Sequence, residues 1–288
     1  MKDRNKNSAS ADDISLQERI IHILYKSIPG RLLLKILTRP FLSKAAGCFL
    51  DAKISTVLIP GFVKRNHIDM DDYVSCEYDS FNAFFTRKIK PDRREIIKDW
   101  DALIAPCDSR LTVYDIEENS TFMIKDRSYT MEELVRSKKL AKHYAGGQLL
   151  LFRLTVSDYH RYCYPDDGVK TKNYRIPGVL HTVNPIAAGE HPIYKENTRE
   201  FSLLHTEHFG NVLMMEVGAL LVGRIVNRDQ EASVKRGEEA GMFEYGGSTV
   251  ILCLEPGVAS LNADIRKRSA EGIETVVEMG EQIGRRIS

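Results

Sequence analysis

Only five of the 288 residues are cysteine, Cys48, Cys76, Cys107, Cys163 and Cys253. Their odd number and scattered spacing give neither a disulfide framework nor the Cys-x-x-Cys pair of a zinc or thiol redox site. A reducing cytoplasmic setting follows, with no metal expected. A charge of one sign is missing too. With 41 Lys and Arg against 40 Asp and Glu, a formal net charge of +1, the chain carries no nucleic-acid footprint. No apolar run approaches the roughly 18 residues of a membrane-spanning helix. The best, residues 212–223, is broken by Glu216 and two glycines. No signal peptide is visible, because residues 1–13 are polar and no apolar core follows them closely. Gly-x-Gly-x-x-Gly, a P-loop and internal repeats are also absent.

What is present starts with a polar stretch, 1–13, expected to be disordered. Leu16, Ile20, Ile23, Leu24 and Ile28 then recur at helical spacing until Pro29-Gly30 breaks the pattern. A second apolar and basic segment, 31–50, is interrupted by Pro40. Arg19, Lys26, Arg31, Lys35, Arg39 and Lys44 face the single acid Glu18. Residues 14–50 therefore read as amphipathic helices docking on an anionic membrane surface. The same stripes also suit helices packed on a core.

Residues 51–288 read as a strand-rich catalytic unit, giving an α+β fold class with the amphipathic helices at its N-terminal side. Ser80 can cap a short helix carrying Phe81, Phe84 and Phe85. Thr130-Met131-Glu132-Glu133 is a capping box that opens a helix to about Lys142. Residues 148–156 form a buried strand leading into an Asp158-Tyr159-His160 turn, and a hairpin turn is expected at His208–Asn211. A further strand starts at Ser248, just after Gly246-Gly247.

That junction is where the chemistry concentrates. A serine hydroxyl can attack the preceding carbonyl when that residue is small and the turn strained, which glycine allows. An N-to-O acyl shift and elimination would then release residues 1–247 and leave an N-terminal pyruvoyl group at 248. The same four residues also make an ordinary turn into a strand.

Residues 236–250, RGEEAGMFEYGGSTV, resemble the maturation segment of phosphatidylserine decarboxylases. SFNAFFTRKIKP at 80–91, APCDSRL at 105–111, DYHRYCYP at 158–165, HTVNP at 181–185, VGALLVG at 217–223 and GIETVVEMGEQIG at 272–284 are similar to further blocks of that family, in order. The resemblance implies a proenzyme that cleaves itself at Gly247-Ser248 into 1–247 (β chain) and 248–288 (α chain). It implies a covalent pyruvoyl cofactor derived from Ser248, and conversion of phosphatidylserine to phosphatidylethanolamine through a Schiff base. The partners it implies are phosphatidylserine, an anionic membrane surface, the two cleaved chains held together and a homodimer of αβ protomers. The protein would sit peripherally on the cytoplasmic face of the cell membrane.

Residue by residue, the resemblance points to Ser248, His160 and Asp108 as catalytic. The family block often holds two histidines three residues apart, and the second position here is Cys163. His160 is then the preferred base for maturation and proton donor for decarboxylation. The other assignment has Cys163 take part while His181 supplies the base, and both are carried as candidate substrate-binding residues. Three other functions stay open: a pyruvoyl decarboxylase of a soluble amino acid, a cysteine hydrolase built on Cys163 or Cys107, and a noncatalytic membrane-binding module.

Overall fold

The computed structural model describes residues 23–24, 27, 29–30, 40–124, 127–179, 193–218, 224–245 and 248–287. His181, Gly246, Gly247, the polar start and most of the 14–39 stripes lie outside the described residues. Among the described residues about 25% are helix and 36% strand, in several antiparallel sheets, which is the strand-dominated α+β class.

In chain order the strands are β1 (Ala102–Ile104), β2 (Ser109–Asp115), β3 (Thr121–Ile124), β4 (Arg127–Thr130), β5 (Gln148–Leu154), β6 (Arg161–Cys163), β7 (Gly168–Lys170), β8 (Tyr174–Ile176), β9 (Arg199–Thr206), β10 (Asn211–Val217), β11 (Ile225–Asn227), β12 (Ala232–Val234), β13 (Glu239–Phe243), β14 (Ser248–Leu254), β15 (Ala259–Leu261), β16 (Thr275–Val277) and β17 (Gln282–Arg286). The main sheet runs β12-β7-β9-β10-β14-β5-β2-β16, with β8 beside β9. Smaller sheets are β1-β17-β15, β11-β13-β6 and the hairpin β3-β4.

Alternation along the central strands feeds two cores. Phe152, Leu154, Met214, Val250 and Leu252 point to one face, where Tyr162 and Phe243 of the β11-β13-β6 sheet join them. Leu151, Leu213, Met215, Ile251 and Cys253 point to the other, where Leu134 and Tyr144 from short helices cover them. Every residue of β14 is buried in consequence. Each such aliphatic or aromatic side chain contributes about 1.5–3 kcal/mol on burial, so β14 is anchored from both sides.

The local signals hold where a cap is involved. Ser80 Oγ accepts from the Ala83 N–H (3.1 Å) and starts the helix Phe81–Phe85. The Thr130–Glu133 capping box is formed in both directions. Its helix does not reach Lys142, however: it ends at Val135, because Arg136 adopts a left-handed conformation (φ 55°). Ser137 then caps a second helix, Lys138–Tyr144, through the Leu140 N–H. The hairpin between β9 and β10 turns over residues 207–210, with Gly210 at φ 66°.

Before the strands, the helix Pro40–Asp51, a 3₁₀ turn Lys53–Leu58 and the helix Ile59–Arg65 pack against Phe81–Phe85. Phe62 meets Phe81 edge-on at 5.1 Å, and Ser55 Oγ accepts from the Phe81 N–H at 2.8 Å. No helix among the described residues is long and apolar enough to cross a membrane.

Candidate active site

The site forms where two sheets exchange the chain. β13 pairs with β6 in the small sheet and ends at Phe243, while Ser248 opens β14 in the main sheet. The connecting segment is clamped at Tyr245. Its N–H donates to Asn82 Oδ1 (3.2 Å), and its ring stands edge-on to Phe81 and Phe85, both at 5.1 Å.

Ser248 is fully buried, its backbone opposite Leu154 of β5. Its Oγ has no hydrogen-bond partner among the described residues. An unsatisfied buried hydroxyl costs about 1–3 kcal/mol, so a hydroxyl kept this way at the head of a strand calls for a reason.

The same register brings in His160. β5 ends opposite Ser248, and the chain turns at once through residues 155–158, where Asp158 accepts from the Thr155 N–H (2.6 Å) and Thr155 Oγ1 (2.9 Å) and lies 3.5 Å from Arg110. Burial raises the Asp158 pKa against those hydrogen bonds and that cation. His160 follows, fully buried, with its carbonyl accepting from the Phe243 N–H (2.9 Å). Its Nδ1 lies 2.9 Å from the carbonyl oxygen of Asp158. A carbonyl can only accept, so Nδ1 carries the proton and Nε2 is the basic nitrogen of the neutral ring. The imidazole rests on Phe85 at 4.0 Å between centroids. Phe85 therefore touches both the histidine and the clamp on the segment before Ser248.

Asp108 is placed otherwise. Its carboxylate takes two hydrogen bonds from Arg94, at 2.7 and 2.5 Å, and one from the Met279 N–H at 2.9 Å. On the Nδ1 side, His160 is fixed by the backbone carbonyl of Asp158. Cys163 is buried in β6, its N–H on the Pro106 carbonyl (2.8 Å), and burial pushes its thiol up to about 12. Burial also lifts Cys107 well above the ordinary thiol range. Both thiols are neutral at physiological pH and present no surface, which removes the basis for a cysteine hydrolase. No group of three or more metal-ligating side chains occurs among the described residues.

Asn82, Phe85 and Tyr245 are site residues that carried no functional signal in the sequence, and Glu216 lies buried on the neighbouring strand. The first two lie inside the matched 80–91 block, where they read as helix content. Glu216 had a plainer signal: it is the single acid in an otherwise apolar run.

A sequence profile of the phosphatidylserine decarboxylase family matches residues 81–285. The chain is 45% identical over 266 residues to a phosphatidylserine decarboxylase proenzyme 2 of Clostridium acetobutylicum, covering 92% of this chain and 91% of that one. It is 39% identical over 274 residues to a phosphatidylserine decarboxylase proenzyme of Clostridium tetani, covering 93% and 92%. With the proenzyme of Chlamydia caviae it shares 37% over 289 residues, covering 98% and 96%. A match over most of the chain at these identities, around a buried serine and histidine of this geometry, establishes that the chain belongs to the phosphatidylserine decarboxylase family.

Proposed function

We propose that the protein is a self-cleaving phosphatidylserine decarboxylase, made as a proenzyme and activated by conversion of Ser248 into a covalent pyruvoyl group. The observation that carries this reading is the unpartnered, fully buried Ser248 Oγ behind Gly246-Gly247. The surroundings fit the group: apolar walls exclude water, and the β14 ladder holds a new chain end at 248 in register. Bound there, the group supplies an electron sink for the pair released as CO2 departs.

The chain's own residues do the rest. His160 Nε2 takes the Ser248 hydroxyl proton during maturation, with Nδ1 fixed on Asp158. The same nitrogen holds the proton that the product carbon later receives. Asn82 and the Phe81, Phe85 and Tyr245 rings hold the approach to the scissile bond. Asp108 joins Arg94 to the Met279 N–H, tying the 1–247 and 248–288 chains together across the cut.

Exposed apolar side chains at Phe49, Ile54, Val57 and Leu58 support docking on an anionic lipid surface, the cytoplasmic face of the cell membrane. This face extends beyond the 14–50 segment. Beside it a cleft of 310 Å³, walled by Leu50, Val57, Leu58, Phe62 and Arg65, reaches Tyr245. It supports delivery of a lipid substrate from that side. A homodimer of cleaved protomers belongs to the same reading.

Denaturing electrophoresis with intact-mass measurement tests it. The purified protein should separate into 1–247 and 248–288, the latter with the mass of a pyruvoyl terminus, and Ser248→Ala should stay whole and inactive. A Ser248→Ala protein that cleaves and turns over would overturn it.

A further inference from the structure

Ser248 shares its sheet face with an unusual pair of acids. Glu216 lies opposite Val250 on β10, and Glu200 lies opposite Glu216 on β9. Side chains two apart on a strand point the same way, so Ser248 and Val250 face the side that Glu216 and Glu200 face. Glu216 and Ser248 are diagonal neighbours on adjoining strands, a relation of about 7–8 Å between backbones that long side chains span.

The two carboxyl groups are bound into one unit. Asn227 Nδ2 donates to Glu200 Oε2 (3.1 Å) and Glu216 Oε2 (3.3 Å), while Asn227 Oδ1 accepts from Tyr162 OH (3.0 Å). Burial pushes Glu216 up to about 8, against the Asn227 amide and the charge of Lys170. Lys170 makes no direct hydrogen bond to either carboxyl, since its ammonium donates to the carbonyls of Thr171, Asp229 and Gln230 and to Asn173 Oδ1, and its charge acts on both only from a distance. Arg175 reaches Glu200 only at 3.8 Å from a largely exposed position. Other acids nearby are engaged elsewhere, Asp158 with Thr155 and Arg110, and Glu239 with Arg161.

A buried acid, Glu216, coupled to a half-buried one, Glu200, with one cation acting on both only at a distance and no direct carboxylate–ammonium contact, is a place for a second cation beside Ser248. We propose that Glu216, flanked by Glu200, receives the ammonium group of the substrate and makes the site selective for charged primary amines. This inference rests on the decarboxylase reading above. An entering ammonium favours the ionised form of Glu216, so amine binding and release of its proton go together.

The test uses the cleaved enzyme, soluble O-phosphoethanolamine as the amine probe and cyanoborohydride to fix the adduct as a secondary amine, read by intact mass of the 248–288 chain. Hydroxylamine, uncharged at neutral pH, serves as a carbonyl probe with no ammonium to recognise. Glu216→Gln should cleave, capture hydroxylamine at the wild-type rate and capture O-phosphoethanolamine at least tenfold more slowly. Glu200→Gln should show the same selective loss, and decides the matter if Glu216→Gln fails to fold. Equal amine capture by the variants and the wild type overturns the inference, as does a parallel loss of both adducts. A wild type that captures neither probe overturns the pyruvoyl reading itself.

Discussion

At Ser248 the chain buries a hydroxyl that finds no partner among the described residues, whereas along residues 49–58 it leaves large apolar side chains in the open. Folding alone favours neither arrangement, since buried hydroxyls are normally paired and apolar surface is normally covered. The helical unit had the means to hide Ile54 and Val57, which stay 68% and 73% exposed while Leu50 and Phe81 beside them are buried. The first hydroxyl of β14, opposite Leu154, meets no hydrogen-bond partner among the described residues. Under the proposed function the two exceptions answer to different events, a reaction of the chain with itself and contact with an apolar medium. The inner one carries the desolvation of a buried hydroxyl, whereas the outer one relies on surface area that water tolerates.

The largest effect should come from breaking the inner arrangement. If His160 carries the proton as proposed, His160→Ala should lower turnover by roughly 10²–10⁴. Cleavage should slow with it, followed as the appearance of the 248–288 fragment after synthesis. Cys163→Ser, by contrast, should cleave and turn over at a substantial fraction of the wild-type rate, because a buried thiol pushed up to about 12 neither attacks nor accepts a proton at neutral pH. The opposite pattern, with Cys163→Ser uncleaved and His160→Ala normal, would remove His160 from its role.

How far this arrangement was legible depends on the range of the contacts. Ser80, Thr130 and Glu133 act within one helical turn, so their caps could be read directly from spacing. The strand at Ser248 and the turn before His160 followed from apolar alternation and its interruption. Arg136 gave no such signal, since arginine has no preference for the left-handed conformation that ends its helix. Asp108 was legible as a matched position but not in its partners, which stand 14 and 171 residues away. Glu216 shows the same limit. Its lone charge was visible, but its neighbours come from β6, β9 and β11, which only the sheet order brings together.

A smaller effect should follow from changing the outer exception. Replacing Ile54 and Val57 together by serine removes two exposed side chains, each worth about 1.5–3 kcal/mol if fully inserted. Because interfacial insertion is partial, sedimentation with anionic liposomes should weaken about tenfold. Turnover of bilayer substrate should slow in step, while self-cleavage should keep its wild-type rate. Unchanged liposome binding across a salt titration would show that the surface is simply tolerated exposure, and the contrast between the two regions would lose its outer half.

The last effect is on stability, and it separates the buried carboxyl from the reaction. Glu216 has an unfolded value near 4.5 and a folded one of about 8. Between those limits the native state holds a proton that the unfolded chain has lost, so the sign is fixed: this group stabilises the fold fully below about 4.5, and the contribution is lost as pH rises through about 8. Glu216→Gln carries no proton to lose. Its melting temperature, set against the wild type from pH 5 to pH 8, should therefore follow a flatter curve, the wild type declining relative to the variant and the difference levelling off above about pH 8. Parallel curves would mean that Glu216 titrates alike in both states, and the burial that singles it out on the Ser248 face would have no energetic consequence.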